Sequence, residues 1–333
     1  MKILKLLIVF LFLIVQSGFG QTKKINGVSF VASREPISAQ NISPVLNVNA
    51  NYVAIMPFGF IKDLNHPEIV FNTDRQWFGE TKEGAKQYAE EFQKKEIKIM
   101  LKPQIWVWRG EYTGFIEMAN EDDWQVLENS YTQFILLYAM LAQEIDAELF
   151  CIGTELEKFI EKRPQYWSNL IKEIKKVYKG KLTYAANWDE FKRTPFWSDL
   201  DYIGIDAYFP VSDEKIPTVA QCLKGWKMHK SVIKSISEKY NKSILFTEFG
   251  YRSMDYSGKE PWQSDYKIKS LNLQGQTNTT QALFETFWNE DWFAGGFIWK
   301  WFHNHENSGG KNDNQFTPQN KPVEETIKRY YSQ

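Results

Sequence analysis

Short apolar runs alternate with longer mixed stretches along almost the whole chain. The runs fall at Gly27–Val31, Tyr52–Pro57, Ile97–Pro103, Leu149–Gly153, Leu182–Ala186, Tyr202–Ala207, Ile244–Thr247 and Gly295–Trp299. Short, continuously apolar runs predict strands buried on both faces, as in a parallel sheet. Between them, Lys82–Lys95 is rich in Ala, Glu, Gln and Lys, which favour helix. Trp124–Ile145 sets Phe134, Leu137, Tyr138 and Leu141 at helical spacing. Tyr166–Tyr178, Val219–Tyr240, Thr280–Asn289 and Val323–Tyr331 read as further helices. Strand alternating with helix implies a parallel sheet, and eight such strands within about 300 residues imply a closed barrel. The expected fold is α/β, a single (β/α)8 TIM barrel, with no internal repeat and no linker. The polar stretches 252–276 and 303–321 are expected to form long rim loops.

The N-terminus is read separately. Lys2 and Lys5 flank the start of an apolar run that ends near Val15, and Gly18 and Gly20 offer small residues for cleavage before Gln21. This pattern predicts a secretory signal peptide over 1–20, leaving 21–333 as the barrel domain. The run is short for a membrane span, although an uncleaved anchor is the alternative. No Cys follows the predicted cleavage site, which argues against a lipoprotein. The expected destination is the periplasm or the exterior.

Composition narrows the function. The 333 residues carry 40 Lys and Arg against 41 Asp and Glu, so there is no basic excess to suggest nucleic acid. Nothing beyond the export signal suggests a membrane, and a monomer is expected. There are 13 Trp, 16 Tyr and 24 Phe. Part of this fills a core, but flat rings also suit the C–H faces of sugars. Cys151 lies in a strand-like run and reads as a core residue; a disulfide with Cys222 is possible without being demanded. His303 and His305 are a lone pair, short of a metal ligand set, and no metal or cofactor is expected.

In a barrel the chemistry sits where strands end and the following loops begin. Strand three ends in Lys102-Pro103-Gln104, followed by Trp106 and Trp108; strand four in Gly153-Thr154-Glu155; strand five in Asn187-Trp188. Strand six runs into Asp206-Ala207-Tyr208, strand seven into Thr247-Glu248-Phe249-Gly250, and strand eight into Trp299-Lys300-Trp301. Glu155 and Glu248 thus face one mouth. Glycosidic cleavage needs one carboxyl group to protonate the leaving oxygen and a second to attack carbon or activate water. In a retaining enzyme the two stand roughly 5 Å apart, and their environments push their pKa values apart. Glu157 is read as a surface residue at the start of a loop or helix.

The segments Ile99-Met100-Leu101-Lys102-Pro103-Gln104, Phe150-Cys151-Ile152-Gly153-Thr154-Glu155-Leu156, Tyr202-Ile203-Gly204-Ile205-Asp206-Ala207-Tyr208 and Phe246-Thr247-Glu248-Phe249-Gly250 resemble glycoside hydrolase family 113, within the clan A barrels. The resemblance covers nearly the whole mature chain. It implies Glu155 as acid/base, Glu248 as nucleophile and β-1,4-mannan as substrate, cleaved internally with retention. The chain departs from the wider clan at Thr154, where many relatives carry an Asn that contacts the sugar 2-hydroxyl; Asn187 or Tyr208 is the candidate replacement.

Other roles follow from position. Trp106, Trp188, Trp299 and Trp301 are candidate stacking platforms, with core packing as the alternative for each. Lys102 is read either as a hydrogen-bond donor to a sugar or as the partner of a cleft carboxylate. Tyr208 is placed to hydrogen-bond Glu248 and hold it ionised, Arg252 to pair with an acid at the rim, and Asp206 to act as a structural partner. Three readings stay open. One is the mannanase, one a retaining glycanase or transglycosylase on another β-linked polymer, and one a non-catalytic glycan-binding barrel. A metal-dependent deacetylase lacks its Asp and His ligand set.

Overall fold

The computed structural model describes residues 24–264 and 267–333. The predicted signal segment lies outside them. In chain order the elements are β1 (Ile25–Phe30), α1 (Ala39–Asn47), β2 (Tyr52–Ile55), β3 (Phe58–Ile61), β4 (Val70–Phe71), α2 (Lys82–Gln93), β5 (Lys98–Leu101), β6 (Gln104–Val107), α3 (Glu121–Glu144) and β7 (Leu149–Thr154). They continue with α4 (Glu157–Lys162), α5 (Pro164–Val177), β8 (Lys181–Asn187), β9 (Ile203–Asp206), α6 (Val219–Tyr240), β10 (Ile244–Phe249), α7 (Leu273–Phe287), β11 (Phe293–Trp301) and α8 (Pro322–Tyr331).

Eight strands close a parallel barrel in the order β1-β11-β10-β9-β8-β7-β5-β2, as the alternation predicts. The apolar residues divide into two layers. Ile25, Ala54, Met100, Leu149, Cys151, Ala185, Leu245 and Phe297 fill the inside of the barrel. A larger layer lies between the strands and the surrounding helices and includes Phe134, Tyr138, Trp167, Trp226, Phe284 and Ile327. Side chains inside are small wherever a ring needs room: a Cβ on Gly27 would meet the Phe297 ring at 2.3 Å. Cys151 is in the inner layer and Cys222 in the outer one, so the two thiols remain free and buried. Among the described residues no helix is long and apolar enough to cross a membrane.

Several elements differ from the sequence reading. A side sheet of β4, β3 and β6 stands above the barrel, built from the segments that follow β2 and β5. Pro57 and Pro103 each separate a barrel strand from a side strand, because proline has no N–H for a ladder. The seventh helix starts earlier than predicted, at Leu273, where the Asn272 side chain caps the Gly275 N–H. Helices α1 and α4 were not expected. The two long rim loops are present and tied together, with buried Arg252 donating to the Asn314 carbonyl, to Asn314 Oδ1 and to the Gln263 carbonyl. Lys321 adds bonds to Asp313, Ser253 and the Gln315 carbonyl. His305 pairs with Glu324 at 2.7 Å.

Candidate active site

A buried polar layer caps the inner core. Along a strand every second residue points inward. Lys102 therefore stands above Met100, Asp206 above Gly204 and Thr247 above Leu245, and all three are fully buried. Lys102 Nζ lies 3.4 Å from Asp206 Oδ1 and 2.5 Å from Glu248 Oε1. Thr247 Oγ1 donates to Asp206 Oδ1 at 2.7 Å. Burial opposes the charge on Lys102, but Asp206 and Glu248 outweigh it and hold its pKa above the ordinary value. Asp206 is pushed up to about 7, first by burial and then by the charge of Glu248. Removing the ammonium would leave two neighbouring acids without their cation; breaking such a buried network costs about 3–5 kcal/mol.

Glu248 directly follows Thr247, so strict alternation would turn it away from the interior. It reaches inward because the pairing of β10 with β9 slips between Phe246 and Glu248. The same device recurs beside Glu155. The pairing of β7 with β8 slips between Cys151 and Thr154. Bulges of this kind bend a strand and re-aim a side chain. Glu155 itself takes a left-handed φ of 51°. Its N–H donates to the Ala185 carbonyl at 2.8 Å, and Thr113 Oγ1 donates to its carbonyl at 3.0 Å. The next N–H, of Leu156, bonds the Tyr184 hydroxyl, which in turn donates to buried Glu190. Left-handed backbone costs about 1–3 kcal/mol for a residue with a side chain, and this set of bonds holds it in place.

The two glutamates have different surroundings. Glu248 accepts from three side chains: Lys102, Gln104 Nε2 at 3.1 Å, and the Tyr208 hydroxyl at 2.7 Å on the other oxygen. The carboxylate of Glu155 accepts no hydrogen bond from the described residues. Burial first, then the charges of Asp206 and Glu248, hold its pKa well above the usual carboxylate range.

Both carboxylates open onto one cleft of about 1390 Å³. Trp106, Asn187, Trp188, Tyr208 and Trp299 line it, as the strand-end positions predict. Trp106 is 48% exposed, so its ring is available to a ligand. Asn187 donates to the Tyr112 hydroxyl at 2.7 Å, and its Oδ1 is buried without a partner. Two expected substrate contacts are corrected. Lys102 has no accessible surface and serves the carboxylates from beneath the floor. Trp301 is fully buried and packs against His305, because β1 and β11 lose register between Val28 and Phe30, so Trp299 and Trp301 do not share a face.

The cleft also holds side chains that the strand-end pattern does not mark as site residues. Gln104 and Lys300 stand in the strand-end motifs themselves, but their side-chain roles depend on the third dimension. Tyr112, Trp77 and Trp262 come from loops. Trp262 is 43% exposed and stacks on Trp188 with ring centroids 5.3 Å apart. A lone Trp in a polar loop was the available clue. Glu157 opens α4 and pairs with Arg193, at the lip of the cleft.

The profile of Glycoside Hydrolase Family 113 matches residues 32–321. The chain belongs to glycoside hydrolase family 113. Its fold agrees with solved members. A family 113 β-1,4-mannanase complex superposes with a TM-score of 0.80 at 21% identity, covering 93% of this chain and 99% of that one. The family 113 β-mannanase of Alicyclobacillus acidocaldarius gives 0.79 at 23% identity, covering 93% and 97%. The β-glucuronidase of Faecalibacterium prausnitzii gives 0.59 at 12% identity, with 93% of this chain on 49% of that one. Comparison with curated proteins finds no match. As a family 113 member the protein is a glycoside hydrolase, and its cleft, carboxylates and exposed rings are the parts from which such chemistry is built.

Proposed function

We propose that this family 113 hydrolase is a retaining endo-β-1,4-mannanase that acts outside the cytoplasm after release of residues 1–20. The observation that carries the mechanism is the unequal setting of Glu155 and Glu248. A nucleophile must be anionic and fixed. Glu248 is surrounded by donors, one of them an ammonium. A general acid must hold a proton at working pH, and burial and neighbouring charge favour the protonated form of Glu155.

In the first step a Glu248 oxygen attacks the anomeric carbon as the glycosidic bond breaks. The proton of Glu155 passes to the departing oxygen. The glycosyl ester on Glu248 leaves Glu155 ionised. It then takes a proton from water, and that water attacks the same carbon and releases Glu248. Tyr208 and Gln104 keep the nucleophile aligned throughout. The cleft is open and lined by exposed rings, which suits attack within a polymer.

Mannan as substrate is supported by family membership and by the β-1,4-mannanases among the solved relatives. The test is a product profile on linear β-1,4-mannan, xylan and cellulose. Short oligosaccharides are expected from mannan. Products from xylan or cellulose alone would keep the chemistry and replace the substrate.

A further inference from the structure

Among the described residues, Lys102 and Lys321 are buried and fully engaged, whereas a third lysine lines the cleft. Lys102 is held by Asp206 and Glu248. Lys321 is held by Asp313 at 2.7 Å, Ser253 Oγ at 2.9 Å and the Gln315 carbonyl at 2.7 Å. The third, Lys300, is different. It stands at the end of β11, lines the cleft, and its ammonium has no hydrogen-bond or ion-pair partner among the described residues. What holds it is aromatic: Nζ lies 5.4 Å from the Trp299 ring and 5.3 Å from the Phe302 ring. Burial disfavours its charge, and the carboxylate that opposes this is Glu248.

Lys300 is half-buried, and with no protein acceptor among the described residues its N–H donors are left to the cleft, where a ligand's oxygens can accept from them. Two rings flank Nζ itself, so the ammonium has a set place on the wall it shares with the nucleophile. We propose that Lys300 forms a sugar-binding subsite, donating hydrogen bonds to hydroxyl oxygens of the glycosyl unit attacked by Glu248. The inference rests on the glycosidase reading for which unit that is. The ligand class is a neutral glycan. The acids that line the cleft, among them Glu80, Glu111, Glu157 and Asp189, disfavour a polyanionic chain.

The test compares wild type with Lys300→Met, which keeps the apolar stem and removes the donors. Both are assayed on β-1,4-linked manno-, xylo- and cello-oligosaccharides of four to six units. On whichever series the wild type cleaves, kcat/KM is expected to fall roughly 10- to 100-fold, the range of a lost charged hydrogen bond. Tm should stay within roughly 3 °C, since only the ring contacts are lost. Rates within threefold of wild type would overturn the proposal, as would a loss matched by a large fall in Tm, which would mark a structural role. Calorimetric binding of the same oligosaccharides separates the two readings where no series is cleaved. Tight binding by wild type and tenfold weaker binding by Lys300→Met would keep the subsite and remove the glycosidase mechanism. Equal affinities, or no binding by either, would overturn the subsite.

Discussion

Glu248→Gln should lower kcat by about 10⁴-fold or more while leaving oligosaccharide affinity within a few-fold of wild type. The amide cannot form the glycosyl ester, but it preserves shape. If its carbonyl takes the place of Oε1, Lys102 and Gln104 still have an acceptor. The amide nitrogen then faces the Tyr208 hydroxyl, which turns from donor to acceptor. The charge is lost beside Lys102, which keeps Asp206, so a modest drop in Tm is expected without unfolding. Single-turnover rates and calorimetric affinities check this. Retention of even a hundredth of wild-type kcat would remove Glu248 from the nucleophile's place.

Glu155→Gln should show a different signature. On a polymer, kcat/KM should fall about 10³-fold, because the leaving sugar needs a proton. On an aryl glycoside whose leaving group needs none, the first step should recover, and a glycosyl-enzyme should accumulate because no base activates water. The pH dependence follows from the raised pKa. Glu155 works protonated, so the wild-type rate stays high below its folded pKa and falls as pH rises through it. Burial and the charges of Asp206 and Glu248 place that limb above the ordinary carboxylate range. In Glu155→Gln the alkaline limb should vanish on the activated substrate. A limb left unmoved would belong to another group, and Asp206, pushed up to about 7, is the buried neighbour that would own it.

Most of the architecture was legible because a parallel barrel writes its strands as short apolar runs and its helices as periodic ones. The eight barrel strands and both catalytic candidates come from that pattern. What escaped depends on how strands meet. Lys102 looks like a cleft residue at the end of a strand, and only the inward register that puts it above Met100 shows it to be beneath the floor. Trp301 follows Trp299 at the spacing of one strand face, but the lost register between β1 and β11 breaks the alternation. A bulge leaves no mark in the hydrophobic pattern, because barrel strands are buried on both faces and show no strict alternation for it to break. Trp262 is invisible for another reason: it belongs to a loop whose path is set by Arg252, Asn314 and Gln263 rather than by periodicity.

The proposed mechanism is double displacement at Glu248 with Glu155 as acid and base. Its most direct test is the anomeric configuration of the first product. Proton NMR of manno-oligosaccharide hydrolysis, followed within the first minutes before mutarotation, should show the β-anomer of the new reducing end appearing first. If the α-anomer appears first, water has attacked the carbon directly, and the nucleophilic role of Glu248 is contradicted.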